Sequence, residues 1–276
     1  MKGLYMDDLL KRLEDWFKQK DKVIVAFSGG VDSCLVIFLA RQFLGKENAV
    51  AIISKSASLK SRDLKIARKF CDLYDIRLEE ITTKEMEDPD YLRNPINRCF
   101  FCKTNLYSEL EGMIATQYPD YTILNGNNFS DNGDYRPGME AARNYNAYSP
   151  LAECKIEKSD VRTLAKHFNL FTWDKPASPC LSSRFPYGES ITFEKLRMVE
   201  EAEDILNEYG FNDVRVRYME KSAKIEVPDH LLEDLKKIFN DVELKILNLG
   251  FEKCYIDEEG LVSGKLNRGI DHVKQN

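Results

Sequence analysis

Three histidines, His167, His230 and His272, are isolated from one another in 276 residues, so no histidine metal motif is present. The single Cys-x-x-Cys, at Cys99 and Cys102, has no second copy, and zinc would need two further ligands. No apolar run approaches the roughly 20 residues that cross a bilayer. The charged, amphipathic N-terminus has no signal-peptide pattern. Basic charge is not in excess: 40 Lys and Arg stand against 46 Asp and Glu, a net charge of −6, which speaks against non-specific nucleic-acid binding. The seven cysteines are an odd number in a chain without export signals. That suits a reducing cytoplasm and leaves any special cysteine to metal binding or chemistry. The expectation is a cytoplasmic protein with neither a membrane nor a nucleic-acid partner.

What is present is organised around residues 22–33. The apolar run 23–27 reads as a buried strand, Ser28, Gly29 and Gly30 as a tight turn, and 31–43 as a helix. Glycines let the backbone approach an anion, and a helix N-terminus offers unpaired amides and a positive dipole end. This is a phosphate cradle. It is neither a Walker A loop, which needs a Lys after its last Gly, nor a G-x-G-x-x-G loop. Its alternative is an ordinary Gly-rich strand-to-helix turn. Strands at 49–54, 77–81, 121–125 and 147–151 alternate with helices, which predicts an α/β fold with a parallel sheet covered on both sides. Ligands of such sheets bind beyond the carboxyl ends of the strands, where Ser28–Ser33, Ser54–Ser58 and the polar loop after Gly126 fall. Ser54 either meets adenine or ribose or sits in a plain loop. Arg136 either grips a phosphate or carboxylate with its donor fork or is a solvated turn residue. Ser159 is the expected N-cap of a helix over 160–167, without a capping box because Arg162 stands where an acid would. His167, at that helix's end, is given no chemistry.

Residues 83–98 read as a loop over the strand ends, leading into a helix from about 98 to 118 that opens with Cys99, Cys102 and Lys103. Cys-x-x-Cys fits half a zinc site, a redox dithiol, two ligands of a three-cysteine iron–sulfur site, or two core cysteines. A second distinctive stretch covers 173–188. Pro176 and Pro179 stiffen the chain before Cys180, and Ser182, Ser183 and Arg184 make a phosphate-capable cluster. Three thiolates, Cys99, Cys102 and Cys180, would leave one iron of a cubane cluster free.

Residues 188–192 read as a boundary, giving domains 1–188 and 189–276. The second carries a helix over 193–209, strands at 213–218 and 224–227, helices at 230–239 and 242–249, and a strand at 253–257. This is a small α+β domain. Arg215 and Arg217 alternate with Val214, Val216 and Tyr218. They face either a cleft or solvent.

The chain resembles the ATP pyrophosphatase (PP-loop) superfamily through Ser28-Gly-Gly-Val-Asp-Ser33. It resembles the LarE family through that loop and through Gly-Asp-Tyr-Arg-Pro-Gly at 133–138, Ser-Ser-Arg-Phe-Pro-Tyr-Gly at 182–188, Val-Arg-Val-Arg at 214–217 and Ser-Gly-Lys-Leu-Asn at 263–267. The resemblance implies an ATP-dependent sulfur transferase that adenylates a carboxylate of a nicotinate-derived pyridinium dicarboxylate mononucleotide. The product is a thiocarboxylate for a nickel-pincer cofactor. It implies that Ser28, Gly29, Gly30, Val31, Asp32 and Ser33 bind the ATP pyrophosphate, with Asp32 on Mg²⁺ and Lys103 stabilising charge in adenylation. It implies that Arg184, Arg215 and Arg217 hold substrate phosphate or carboxylate. Glu203, Glu226 and Asp234 match acids around an inter-subunit phosphate and metal region of a homo-oligomer larger than a dimer. One branch of the family has a single sacrificial cysteine directly after Ala-Ser, where this chain has Pro179. Cys180 follows one residue later, and with Cys99 and Cys102 it resembles the branch holding a [4Fe–4S] cluster on three cysteines, whose free iron carries sulfide from an outside source. The alternatives are a sacrificial Cys180, an ammonia-dependent amidating or tRNA-thiolating enzyme of the superfamily, and a nucleotide-sensing protein without chemistry.

Overall fold

The computed structural model describes residues 2–133, 137–262 and 264–269. Arg136 lies outside the described residues, as does Ser263 of the 263–267 motif. In chain order the helices are α1 (Lys2–Phe17), α2 (Val31–Leu44), α3 (Ser61–Leu73), α4 (Pro89–Leu92), α5 (Arg98–Thr116), α6 (Pro137–Asn144), α7 (Pro150–Glu153), α8 (Lys158–His167), α9 (Phe193–Glu208) and α10 (Leu232–Leu247). The strands are β1 (Val23–Ala26), β2 (Ala49–Ser54), β3 (Arg77–Ile81), β4 (Thr122–Leu124), β5 (Arg215–Met219), β6 (Ser222–Glu226) and β7 (Lys253–Ile256).

Strands β1 and β2 form because each is a short apolar, β-branched run that can bury both faces. Alternate residues divide between two cores, as a period of two requires. Val23, Val25, Ala51 and Ile53 join the core built with α1, α2, α3 and α8. Ile24, Ala26, Val50 and Ile52 join a second core with Leu106, Tyr107 and Leu110 of α5 and Ala141 and Ala142 of α6. Ile24, fully buried, contributes roughly 1.5–3 kcal/mol by the usual transfer scale. The sheet is parallel, in the order β3-β2-β1-β4. The chain winds outward from β1 through β2 to β3, then returns to the other side of β1 for β4. The order therefore reverses between β1 and β4, and a crevice at that point is where such sheets bind ligands.

Compact packing divides the chain into Met1–Glu85 with Cys99–Ser178, and Met86–Arg98 with Pro179–Asn276. The expected boundary at 188 thus falls after Ser178 in this division, and the 86–98 stretch joins the second unit. The reason is backbone and side-chain bonding. Leu92 and Asn94 carbonyls accept from the Ile191 and Gly188 amides, each at 2.9 Å. Tyr91 Oη and Ser182 Oγ are 2.6 Å apart, and Arg98 Nη1 donates to the Ser182 carbonyl at 2.8 Å. In the second unit β5 pairs antiparallel with β6, and β6 pairs parallel with β7. Val216, Ala223 and Ile225 are fully buried, as are Leu196 and Val199 of α9 to within 1 %.

Three elements differ from the sequence expectations. The strand over 147–151 shrinks to one bridge, Leu124 with Tyr148, because Pro150 has no amide to continue a ladder and instead opens α7. The N-cap of α8 is Glu157 rather than Ser159, and its amide donates to Asp160 Oδ2 at 3.1 Å. Helices over 230–239 and 242–249 merge into α10, because Asn240 and Asp241 point to solvent while Leu235, Val242 and Ile246 continue one buried stripe.

Candidate active site

The loop after β1 is wound by its own hydroxyls. Ser33 Oγ donates to the Gly30 carbonyl at 3.1 Å and accepts from the Ser28 amide at 3.2 Å, and the Ser28 and Ser33 oxygens are 3.0 Å apart. Gly29 has φ +67°, and a Cβ there would meet Ala67 Cβ at 3.2 Å and the Asp63 carbonyl at 3.3 Å. Both conformation and crowding therefore demand glycine. Helix α2 opens at buried Val31 with no side-chain cap at Gly30, which leaves its first amides for an anion or water.

Two lysines flank this loop, and neither stood out in the sequence. Lys175 Nζ donates to the Gly29 carbonyl at 3.0 Å and pairs with buried Asp63 at 2.9 Å. Ser178 Oγ donates to the other Asp63 oxygen at 2.7 Å. Lys158, the first residue of α8, pairs with Asp32 Oδ2 at 2.5 Å. Asn128 Nδ2, from the loop after β4, donates to Asp32 Oδ1 at 3.0 Å. The switch point between β1 and β4 thus gathers Asp32, Asn128 and Lys158. Gly126 makes that approach possible: a Cβ there would lie 2.8 Å from the Ser33 amide nitrogen. The close approach lets the β4 loop reach the phosphate loop. Ser54, at the end of β2, bonds to Thr83 rather than standing in an unstructured loop.

Cys99, Cys102 and Lys103 share one face of the first turns of α5 by their spacing of three and four. A Cβ at Gly138 would lie 3.1 Å from Lys103 Cγ, so glycine lets α6 close over this turn. Exposure separates the cysteines. Cys99 and Cys180 are exposed and Cys102 is half-buried, whereas Cys34, Cys71, Cys154 and Cys254 are buried. Burial pushes the Cys71 and Cys254 thiols up to about 12 and Cys154 to about 11, and it raises Cys34 as well. These four are inert core residues. Among the described residues no group of three or more His, Cys, Asp or Glu is gathered as a metal site.

In the second unit Arg184 is 1 % exposed. Its Nε and Nη2 bond to Glu203 at 2.7 and 3.2 Å, and Nη1 bonds to the Pro179 carbonyl and to Ser183 Oγ. Glu203 also accepts the Val216 amide at 3.1 Å. Arg217 Nε donates to Glu226 Oε1 at 2.6 Å and its Nη1 to the Ser183 carbonyl at 3.1 Å. Glu226 is fully buried. Arg184 and Arg217, expected on substrate, therefore direct these donors inward. Glu203 and Glu226, expected near a metal or phosphate, are their counter-ions. Ser182 is itself buried against Tyr91. Arg215 differs: burial, then the neighbouring Arg184 and Arg217 charges, holds its pKa below the usual arginine value. Asp234 lies exposed on α10, paired with Lys237 at 2.7 Å.

The chain matches the family model described as NAD synthase over residues 6–93, which spans the phosphate loop, β1 to β3 and α2 to α3. It is 43 % identical over 268 residues to an uncharacterized protein of Synechocystis sp., covering 95 % of this chain and 98 % of that one. It is 35 % identical over 251 residues to pyridinium-3,5-bisthiocarboxylic acid mononucleotide synthase of Lactiplantibacillus plantarum, covering 91 % and 90 %. A glutamine-hydrolyzing GMP synthase of Bartonella henselae is 26 % identical over 67 % of this chain but only 39 % of its own length. With a phosphate loop at the head of α2 and a relative of this identity matched nearly end to end, the chain belongs to the LarE family of ATP-dependent PP-loop enzymes.

Proposed function

We propose that the enzyme converts a carboxylate of a nicotinate-derived pyridinium dicarboxylate mononucleotide to a thiocarboxylate, with ATP split to AMP and pyrophosphate. The observation that carries this reading is the convergence of Asp32, Asn128 and Lys158 on the phosphate loop at the sheet's switch point. A substrate carboxylate oxygen bonds to the α-phosphorus, and the bond from that phosphorus to the bridging oxygen breaks. The amides of 28–33 and Lys158 receive the charge of the departing pyrophosphate. Lys158 can turn from Asp32 to a phosphate because its side chain is 41 % exposed. Asp32 is then the residue to hold Mg²⁺, whose chemistry is to neutralise charge on the phosphate oxygens. Lys103 faces charge developing on the adenylate, and Arg215 takes a substrate phosphate or carboxylate. Sulfur then bonds to the acyl carbon, the bond from that carbon to the AMP oxygen breaks, and AMP leaves.

Cys99, Cys102 and Cys180 are proposed as the three protein ligands of one [4Fe–4S] cluster, which when bound would supply the sulfur from its open iron. Their exposure supports this, since all other cysteines are buried. A sacrificial Cys180 is the second reading, favoured by that residue's exposure alone. Iron and acid-labile sulfide in oxygen-free preparations, with Mössbauer spectra, test the assignment. Wild type should hold one cluster per chain and Cys180→Ala should lose it; wild type without iron sinks the proposal. A homo-oligomer larger than a dimer completes the reading, and light scattering that gives a monomer would remove it. Among the described residues no helix is long and apolar enough to cross a membrane.

A further inference from the structure

Ser54 closes β2, and its Oγ lies 2.6 Å from Thr83 Oγ1. Thr83 in turn donates to Glu85 Oε2. Glu85 is 1 % exposed, and its Oε1 has no hydrogen-bond partner among the described residues. Buried polar oxygens are nearly always paired, so an orphaned carboxylate oxygen points to a role beyond packing. The relay has a direction. A carboxylate oxygen only accepts, so the single Thr83 proton is committed to Glu85. Thr83 must then accept the proton of Ser54. The half-buried Ser54 oxygen is left with lone pairs and no proton to give. It stands at the carboxyl edge of β2, beside β1, whose end carries the phosphate loop. The two flanks of that loop differ in kind. Towards β4 lie Asp32 and Lys158, charged groups suited to phosphate and metal. Towards β2 lie the hydroxyls of Ser54 and Thr83, neutral groups suited to an uncharged base.

We propose that Glu85 is a positioning residue for base selection: through Thr83 it sets the Ser54 hydroxyl as an acceptor, so the site takes a purine with an exocyclic 6-amino donor and disfavours a 6-oxo purine. The inference rests on the ATP reading above. Calorimetric titration with Mg-ATP and Mg-ITP tests it without needing the acceptor substrate. Wild type should bind ATP about tenfold or more tighter than ITP. Glu85→Gln keeps the shape but can donate to Thr83, which then donates to Ser54, which turns its own proton outward. The ATP-to-ITP ratio should fall about tenfold, with the melting temperature retained as the check on folding. Thr83→Val cuts the relay without touching Glu85 and should also narrow the ratio, so the idea stays testable if Glu85→Gln does not fold. A folded variant that weakens both nucleotides equally, or leaves the ratio unchanged, overturns the relay while the ATP reading stands. Wild type that binds neither nucleotide overturns both.

Discussion

Opposite charges meet in both units, yet the pairs differ in what surrounds them. Beside the phosphate loop, Lys158 and Asp32 keep 41 % and 22 % of their side-chain surface in solvent. In the second unit Arg184 and Glu203 keep 1 % and 4 %, and Arg217 and Glu226 keep 7 % and 0 %. An exposed pair is worth little to stability and can exchange partners when a ligand arrives. A buried pair is different: the desolvated charge left behind when one partner goes is what makes its loss expensive. Residue type alone therefore does not tell a ligand-binding arginine from a structural one. In the first unit the Lys158–Asp32 pair stays open to solvent beside the phosphate loop, whereas in the second the Arg184–Glu203 and Arg217–Glu226 pairs are closed off from it.

Paired substitutions break this comparison most sharply. Glu203→Ala should destabilise the second unit by about 3–5 kcal/mol, because Arg184 would remain buried without its carboxylate. Asp32→Ala should shift stability by about 1 kcal/mol or less, yet abolish substrate-dependent pyrophosphate release. Thermal melting and a pyrophosphate assay on the two variants separate the cases, and equal stability losses would contradict the contrast. Gly126→Ala comes next, since its methyl group would press on the Ser33 backbone. It should destabilise by about 1–3 kcal/mol and weaken ATP binding, measured by denaturation and calorimetry.

Thiol reactivity sharpens the comparison with no mutation at all. Iodoacetamide at pH 8 on folded protein stripped of iron should label Cys99 and Cys180 well before Cys34, Cys71, Cys154 or Cys254, as peptide mass mapping would report. The smallest effect concerns Asp257. Burial pushes its carboxyl up, but bonds from Lys224 and Lys265 outweigh this and draw it down to about 2. A carboxyl held below its ordinary value of about 3.9 adds stability above that pH and loses it as pH falls towards the folded value. Asp257→Asn should therefore flatten the stability curve between about pH 4 and pH 2. An unchanged slope in acid denaturation would count against the Lys224–Asp257–Lys265 cluster.

How far the chain could be read from its letters follows from the same physics. β1, β2 and β3 were legible because apolar or alternating runs end at turn residues, and β2 and β3 begin and end where the pattern placed them. The phosphate loop was legible because glycine at positive φ and a following helix leave a motif. Lys158 and Lys175 left none, since a lysine at a helix start or before a proline looks like any surface lysine. Their meaning comes from strand order, which brings α8 and the 173–175 turn to the loop. Glu157 carries little N-cap signal in the sequence, because Ser159 beside it is of the more usual capping type. The inward turn of Arg184 and Arg217 was hidden for a like reason: their partners Glu203 and Glu226 lie 19 and 9 residues away in sequence.

The proposed chemistry requires repeated ATP-dependent sulfur transfer with Cys180 preserved. Thiocarboxylate formed per chain, counted in oxygen-free buffer with ATP, the dicarboxylate mononucleotide and sulfide, tests it most directly when the protein is weighed before and after by mass spectrometry. Several thiocarboxylates per chain and an unchanged mass are the predicted result. One thiocarboxylate per chain, with Cys180 converted to dehydroalanine, would contradict it.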